Sequence, residues 1–291
     1  MLLKNKNISI QKTLLFIHLI LISSFVKAGA FEQLFAPESV LQEAWLAYNK
    51  TSTQKIDHSV WNYFLEKNVT QSDDRINRIA YASISDADKA KLKSYLELMQ
   101  KILISEFNRD EQLAYWINLY NATTVNVVIN HYPVKSIRDI DISPGLFSDG
   151  PWGKKLLKIE GRALSLNDIE HGILRPIWKD ARIHYAVNCA SISCPDLSER
   201  AYSAENINEQ LDTAATRYIS HPRAVRFTDE GIIVSSIYSW FQKDFGERES
   251  DVIKHLQHYA NHDMTNKLSG IEFFEGDDYD WSLNDAKSSN K

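Results

Sequence analysis

Apolar positions near the start of the chain recur at helical spacing. "SVLQEAWLAYN" (39–49) and "SVWNYFLEKN" (59–68) each begin with a serine and then space their apolar residues three and four apart. This predicts two short capped helices. "SISDADKAKLKSYLELMQKI" follows, with Ser85 or Asp86 as cap and Leu92, Tyr95, Leu96 and Met99 in one stripe. Residues 31–105 therefore read as a helical N-terminal layer. "NRDEQLAYWINLYNATTVNVVINHYP" (108–133) comes next, with Asp110 able to cap it and Pro133 past its end. From Leu113 to Val128 this segment is apolar nearly all round, so the helix is expected to be central and buried. Asn118 and Asn121 sit within it, three residues apart on one side. Buried amides need hydrogen-bond partners. These two either tie the helix to a neighbouring loop or face a site.

Beyond this helix the period changes. Residues 136–155 form a Gly/Pro/Asp-rich loop, and "KLLKIEGRALS" reads as two strands turning at Glu160-Gly161. "SLNDIEHGILRP" opens a helix with Ser165 as cap and Asp168 three residues on, a capping-box spacing. On a 100-degree wheel Glu170 falls between Ile173 and Leu174, so its carboxylate points into apolar surroundings and should be paired or have a raised pKa. "RIHYAVN" (182–188) alternates as a strand, with Arg182, His184, Ala186 and Asn188 on one face. "INEQLDTAATRYI" is an amphipathic helix, "AVRFTDEGIIVSSI" a hairpin, "YSWFQKDFG" an aromatic helix start or turn, "ESDVIKHLQHYAN" a helix and "IEFFEGDDYDWSLN" a last strand and extended segment. Helices first, then mixed helices and antiparallel-type strands, argue an α+β fold. Its centre is the buried helix, packed on a small, mainly antiparallel sheet. Residues 106–284 form the core domain and 285–291 a disordered tail.

The first residues do not fit this pattern. Lys4, Lys6 and Lys12 precede the 14-residue run "TLLFIHLILISSFV", and Val26 and Ala28 supply a small-residue exit. This has the form of a secretory signal peptide over residues 1–28. The run falls short of the ~20 apolar residues that span a bilayer, and no cysteine lies near the junction to carry a lipid. Cleavage removes four of the 33 Lys and Arg residues and none of the 38 acids, leaving a mature charge of −9. The expected location is periplasmic or secreted, with no stable membrane anchor after cleavage. Spread negative charge is unsuited to binding nucleic acid.

Both cysteines lie in "HYAVNCASISCP" (184–195). An exported protein can oxidise Cys189 and Cys194 to a disulfide, provided "ASIS" folds back as a turn. The spacing does not match a usual zinc site. Alternatively Cys189 is a nucleophile, activated by His184 or His171, with Glu170 orienting the imidazole. Strand parity opposes the Cys189–His184 pair, because positions an odd number apart face opposite ways, so the chain must bend at Asn188 or Cys189, or His171 must be the partner. No Gly-rich phosphate loop, G-x-S-x-G elbow or H-E-x-x-H helix occurs, and no cofactor or metal is implied.

Six blocks resemble successive signatures of domain-of-unknown-function family 547: "AYWINLYNATTV", "YPVKSIRDI", "LSLNDIEHGILRP", "RIHYAVNCASISCPDL", "VSSIYSWFQKDF" and "YDWSLN", running from about Asn77 to Asn284. Members are often exported, and membership implies no substrate. The family's organisation is similar to that of papain- and transglutaminase-like thiol enzymes, with a central helix on a small antiparallel sheet. Those enzymes carry their cysteine at the start of the central helix, where this chain has "AYWINLYN".

The expected site lies where the central helix meets "IEHGILR" and "HYAVNCAS". Cys189 would be the nucleophile, His184 or His171 the base and Glu170 the orienter. Asn118, Asn121, Asn188 and Arg182 would contact a peptide, amide or protein partner. The rival is a non-catalytic binding or scaffold domain with Cys189–Cys194 as a structural disulfide. The leader makes a prediction of its own: N-terminal sequencing of the exported protein should start near Gly29 or Phe31, and a retained Met1 in membrane fractions would exclude cleavage.

Overall fold

The computed structural model describes residues 36–145 and 149–286. The segments read as a signal peptide (1–28) and as the end of the tail (287–291) lie outside the described residues. The fold is α+β: helices α1 (Ser59–Asn68), α2 (Asp86–Met99) and α3 (Arg109–His131) come first, with a small hairpin, β1 (Val69–Gln71) and β2 (Asn77–Ile79), between the first two. A second hairpin follows, β3 (Leu157–Ile159) and β4 (Arg162–Leu164), turning through Glu160 and Gly161 at φ 45° and 79°. Then come α4, a π-helical stretch Asp168–Leu174 continuing into Arg175–Trp178, and the single turn α5 (Ile183–Ala186). Helix α6 (Ile207–Ile219) precedes β5 (Val225–Phe227) and β6 (Ile232–Ser235). Helices α7 (Ser236–Trp240), α8 (Gln242–Phe245), α9 (Glu249–Tyr259) and α10 (His262–Lys267) follow, and β7 (Gly276–Asp278) closes a three-stranded sheet in the order β5-β6-β7. β5 and β6 are antiparallel, β6 and β7 parallel. Among the described residues no helix is long and apolar enough to cross a membrane.

Helix α3 is the axis of the larger core. It buries an unbroken run from Glu111 to Val125, and Trp45, Trp61, Tyr95 and Leu197 belong to the same apolar cluster. Each large side chain taken fully from water contributes about 1.5–3 kcal/mol, so this all-round burial is what holds a helix of weak amphipathicity in place. Its first turn is capped by Asn108, whose side chain accepts from the amides of Asp110 and Glu111, and not by Asp110 as expected from sequence. A second apolar cluster, containing Tyr218, Val234, Tyr238 and Leu256, lies between α6, α9 and the three-stranded sheet. Tyr185 belongs to this second cluster, whereas Ile183 and Ala186 belong to the first. The α5 turn is therefore the seam between two cores.

The structure corrects three sequence expectations. The first predicted helix, 39–49, is only a 3-10 turn at Glu43–Trp45. The backbone before it is used otherwise: the amides of Val40 and Gln42 donate to the carbonyls of His171 and Gly172 at 2.9 Å. Close approach is possible because Gly172 has no Cβ; one built there would lie 2.5 Å from the Gln42 side chain. The second correction is the strand at 182–188. Asp180 accepts the Arg182 amide at 2.9 Å and holds its guanidinium, while the Ile183, His184 and Tyr185 amides bond back to Asp180, Ala181 and Arg182 carbonyls. A capped helical turn results, and Arg182, His184, Ala186 and Asn188 share no strand face. The third concerns the tail. Asp285 accepts the Tyr132 hydroxyl at 2.9 Å and Ala286 donates to Ile79, so these two residues are tied to the body.

Asn118 and Asn121 act as clamps. Asn118 bonds both the carbonyl and the amide of Tyr202, at 2.8 and 2.9 Å. Asn121 donates to Ala186 O and accepts the Asn188 amide, both at 2.8 Å. Replacing Asn121 by Leu strands two buried backbone groups. Urea unfolding of Asn121→Leu should show a loss on the order of 1–3 kcal/mol, and an unchanged midpoint would mean the clamp contributes nothing.

Candidate active site

Segments from across the chain meet around one cavity of about 720 Å³, with Pro37 and residues of the loop from Arg138 to Gly153 among its lining. α3 contributes Tyr120, α4 contributes Glu170 and His171, the α5 turn and the loop after it contribute His184, Val187, Cys189 and Cys194, and the C-terminal part contributes Trp240, Phe241, Tyr279 and Trp281. Cys189 is presented by a relay of asparagines. Asn121 fixes the amide of Asn188; the Asn188 side chain then donates to Pro195 O at 2.7 Å and accepts the Ala190 amide at 2.9 Å. Ala190 sits at φ 60°, a left-handed conformation that is costly for a residue with a Cβ. The bend turns the chain straight after Cys189. The C-terminal segment then holds the loop, since Ile192 and Ser193 donate to the carbonyls of Ser282 and Asp280. Strand parity therefore has no bearing on Cys189: a helical turn precedes it and a strained bend follows.

Cys189 and Cys194 are free thiols and no disulfide joins them. They are in contact nonetheless, with the Cys189 amide donating to Cys194 Sγ at 2.8 Å. Cys189 Sγ lies 3.1 Å from the Tyr279 hydroxyl and 3.3 Å from Ser191 Oγ. Burial alone would raise its pKa, but hydrogen bonds from Cys194, Ser191 and Tyr279 outweigh burial and bring the thiol below its ordinary value. Burial pushes the Cys194 thiol well up. The partially exposed, hydrogen-bonded Cys189 has the surroundings of a reactive thiol, and Cys194 those of an inert one.

Neither histidine hydrogen-bonds Cys189. His184 Nε2 pairs with Asp244 Oδ2 at 2.7 Å and its ring stacks on Phe241, centroids 4.6 Å apart. Asp244 also accepts from Arg175 Nε at 2.6 Å. Burial would raise the Asp244 carboxyl, yet His184 and Arg175 hold it well below the usual range. An ionised Asp244 puts the His184 proton on Nε2 and leaves Nδ1 as the basic nitrogen. His171 carries its proton on the same ring nitrogen, for a different reason. Arg175 Nη1 donates to its Nδ1 at 2.8 Å, and arginine has no acceptor, so the ring proton resides on Nε2. Burial lowers its pKa to about 4, with Arg175 adding to the effect, so the ring is neutral at pH 7.

The structure thus redistributes the roles expected from sequence. Glu170 approaches His171, 4.0 Å from Nδ1, but does not orient His184; Asp244 does. His171, with its Nδ1 occupied and its pKa lowered, is no base. Arg182 pairs with Asp180 and Asp212 away from the cavity. Asn118, Asn121 and Asn188 serve the backbone and do not line the cavity. Asp244, Arg175, Tyr120, Ser191, Tyr279 and the tryptophans were not singled out by sequence reasoning. A signal was present for some of them, because Trp240, Phe241 and Asp244 lie in "YSWFQKDF" and Tyr279 and Trp281 in "YDWSLN". Among the described residues no three His, Cys, Asp or Glu side chains converge to hold a metal ion.

The molecule is an α+β protein in which a thiol, two histidines that differ in whether Nδ1 is occupied, and a buried carboxylate share an aromatic cavity. Residues 104–219 match the family model of DUF547, described as a protein of unknown function, which supports the family resemblance read from the sequence. No curated protein and no solved structure matches the chain. The matched span runs from the turn before α3 to the end of α6. It includes Glu170, His171, His184 and Cys189, while Asp244 and Tyr279 lie beyond it.

Asp244 is the residue whose loss the geometry makes most costly here. Asp244→Asn leaves the buried Arg175 charge uncompensated, and stability at pH 7 should fall by about 3 kcal/mol. Because the folded carboxyl is depressed below its ordinary 3.8, its contribution is complete above that pH and is lost as pH falls through the folded value. Urea midpoints of native and Asp244→Asn protein should therefore converge in acid. Curves that stay parallel from neutral pH to pH 3 would refute the linkage.

Proposed function

We propose that the protein is a thiol-dependent acyl transferase or hydrolase acting on an amide or peptide, with Cys189 as nucleophile. The observation that carries this reading is the shared cavity: a partly exposed thiol with a lowered pKa opens onto the same space as His184, whose Nδ1 is left basic by Asp244. The Cys189 thiolate adds to the carbonyl carbon, stabilised by the Tyr279 hydroxyl, which donates to sulfur while accepting from Ser191. The carbon–nitrogen bond then breaks and the amine leaves with the proton that His184 took from the thiol. Water or a second nucleophile releases the acyl group from sulfur. No hydrogen bond joins Cys189 and His184 in the free protein, so this proton crosses the cavity through water or substrate. That separation is also the one observation that favours a non-catalytic binding role.

The setting we propose is export to the periplasm or exterior, on the basis of the leader-like residues 1–28, with a peptide, amide or protein as partner. The spread negative charge of the mature chain supports a partner other than nucleic acid.

Iodoacetamide tests the thiol directly. Cys189 should label faster than Cys194, with a rate that rises at a pH below that of a free cysteine. Tyr279→Phe removes one hydrogen bond to the thiolate and should move the Cys189 profile to higher pH. Equal, sluggish labelling of both cysteines, or labelling only after reduction, would sink the catalytic reading.

A further inference from the structure

The cavity wall beside Cys189 carries polar capacity that the protein does not use. Glu170 is 8% exposed and His171 7% exposed, and both face the cavity. Among the described residues no Lys or Arg pairs with Glu170; His171 Nδ1 stands 4.0 Å from its carboxylate. The Tyr120 hydroxyl stands next to the carboxylate, but one phenol can fill only one of its roughly four acceptor positions. His171 Nδ1 is taken by Arg175, and Nε2–H has no partner among the described residues and is not sealed from the cavity. Two consecutive residues of α4 thus offer a surplus acceptor and a fixed donor on one wall.

A buried carboxylate and a buried N–H left open need groups that satisfy both. An ester or ketone brings no donor for Glu170. A carboxylate brings no donor either and is repelled by it. An ammonium brings donors but no acceptor for His171. A secondary trans amide carries its N–H and C=O on opposite edges and cannot turn both to neighbouring groups on one wall. A primary carboxamide has one N–H and its carbonyl oxygen on a common edge. We infer that Glu170 and His171 form a subsite for a primary carboxamide, the N–H donating to Glu170 and the carbonyl oxygen accepting from His171 Nε2–H. This deepens and rests on the reading of the cavity as an acyl-substrate site, and it moves amide recognition from Asn118 and Asn121 to α4. Trp240 and Trp281, stacked with centroids 5.7 Å apart, together with Phe241, supply an apolar wall for the rest of the molecule.

Benzamide, benzoate and methyl benzoate differ only in the group offered to the subsite. Their affinities for the full chain, unaltered and as Cys189→Ser, can be read by ligand-observed NMR titration. Benzamide should bind about 10-fold more tightly than either of the others, the size expected of one hydrogen bond to a charged acceptor. In Glu170→Gln the new side-chain NH2 donates and the repulsion is gone, so benzoate should gain and overtake benzamide. Comparable affinities for benzamide and methyl benzoate, no binding of any probe, or a preference unmoved by Glu170→Gln would overturn the subsite. Thiol chemistry plays no part in these readouts. An inert Cys189 would leave a benzamide preference standing, and a reactive Cys189 would not rescue its absence.

Discussion

The Asn121 carboxamide governs the position of everything that follows α5. It lies 2% exposed in the central helix and bridges the Ala186 carbonyl to the Asn188 amide. Val187 is thereby held between two fixed points, and Asn188 passes the constraint on through its own side chain to Ala190 and Pro195. Cys189 lies inside this relay with no freedom of its own. An apolar residue at 121 would match the apolar character of α3 but would leave both backbone groups unsatisfied. The amide is worth keeping because it converts the rigidity of a long buried helix into the placement of one thiol, at the cost of needing both partners in register.

The second constraint is the charge chain at the seam between the cores. Arg175, 7% exposed, and Asp244 are too costly to bury singly. Joined to each other and to the two histidines, they set both tautomers. Asp244 draws the His184 proton to Nε2, and Arg175 pushes the His171 proton to Nε2 by occupying Nδ1. The two imidazoles line the same cavity, yet one is left as an acceptor at Nδ1 and the other as a donor at Nε2. One ion pair thus gives neighbouring rings different chemistry. The π-helical stretch of α4 contributes to the same end. The amides of Val40 and Gln42 take up the carbonyls of His171 and Gly172, so the segment leading into the first 3-10 turn becomes part of the cavity's support.

Much of the fold was legible in the residues. The stripes of α1 and α2, the all-round apolar run of α3, the β3-β4 and β5-β6 hairpins and the amphipathic α6 and α9 lie where local patterning puts them, because each buries the face that its period defines; the β1-β2 hairpin was not expected. The burial of Asn118, Asn121 and Glu170 was legible for the same reason: no polar face was wide enough to turn them out. Of the six blocks that carried the family resemblance, the first four lie within the matched span 104–219, and "VSSIYSWFQKDF" and "YDWSLN" lie beyond it.

The departures have one physical source. Residues 39–49 and 182–188 carry patterns that suit a helix and a strand, but backbone partners far along the chain decided otherwise: carbonyls of α4 for the first, the Asp180 cap and two separate cores for the second. The active-site pairings could not be read locally either. His184 and Asp244 are 60 positions apart, and Cys189 and Tyr279 are 90. By itself the sequence determined which side chains must be buried and which segments pack, since hydrophobic period is a local property. Only the tertiary structure decided which buried polar groups meet, because a buried hydrogen bond is satisfied by whatever partner the fold brings within reach, whatever its place along the chain.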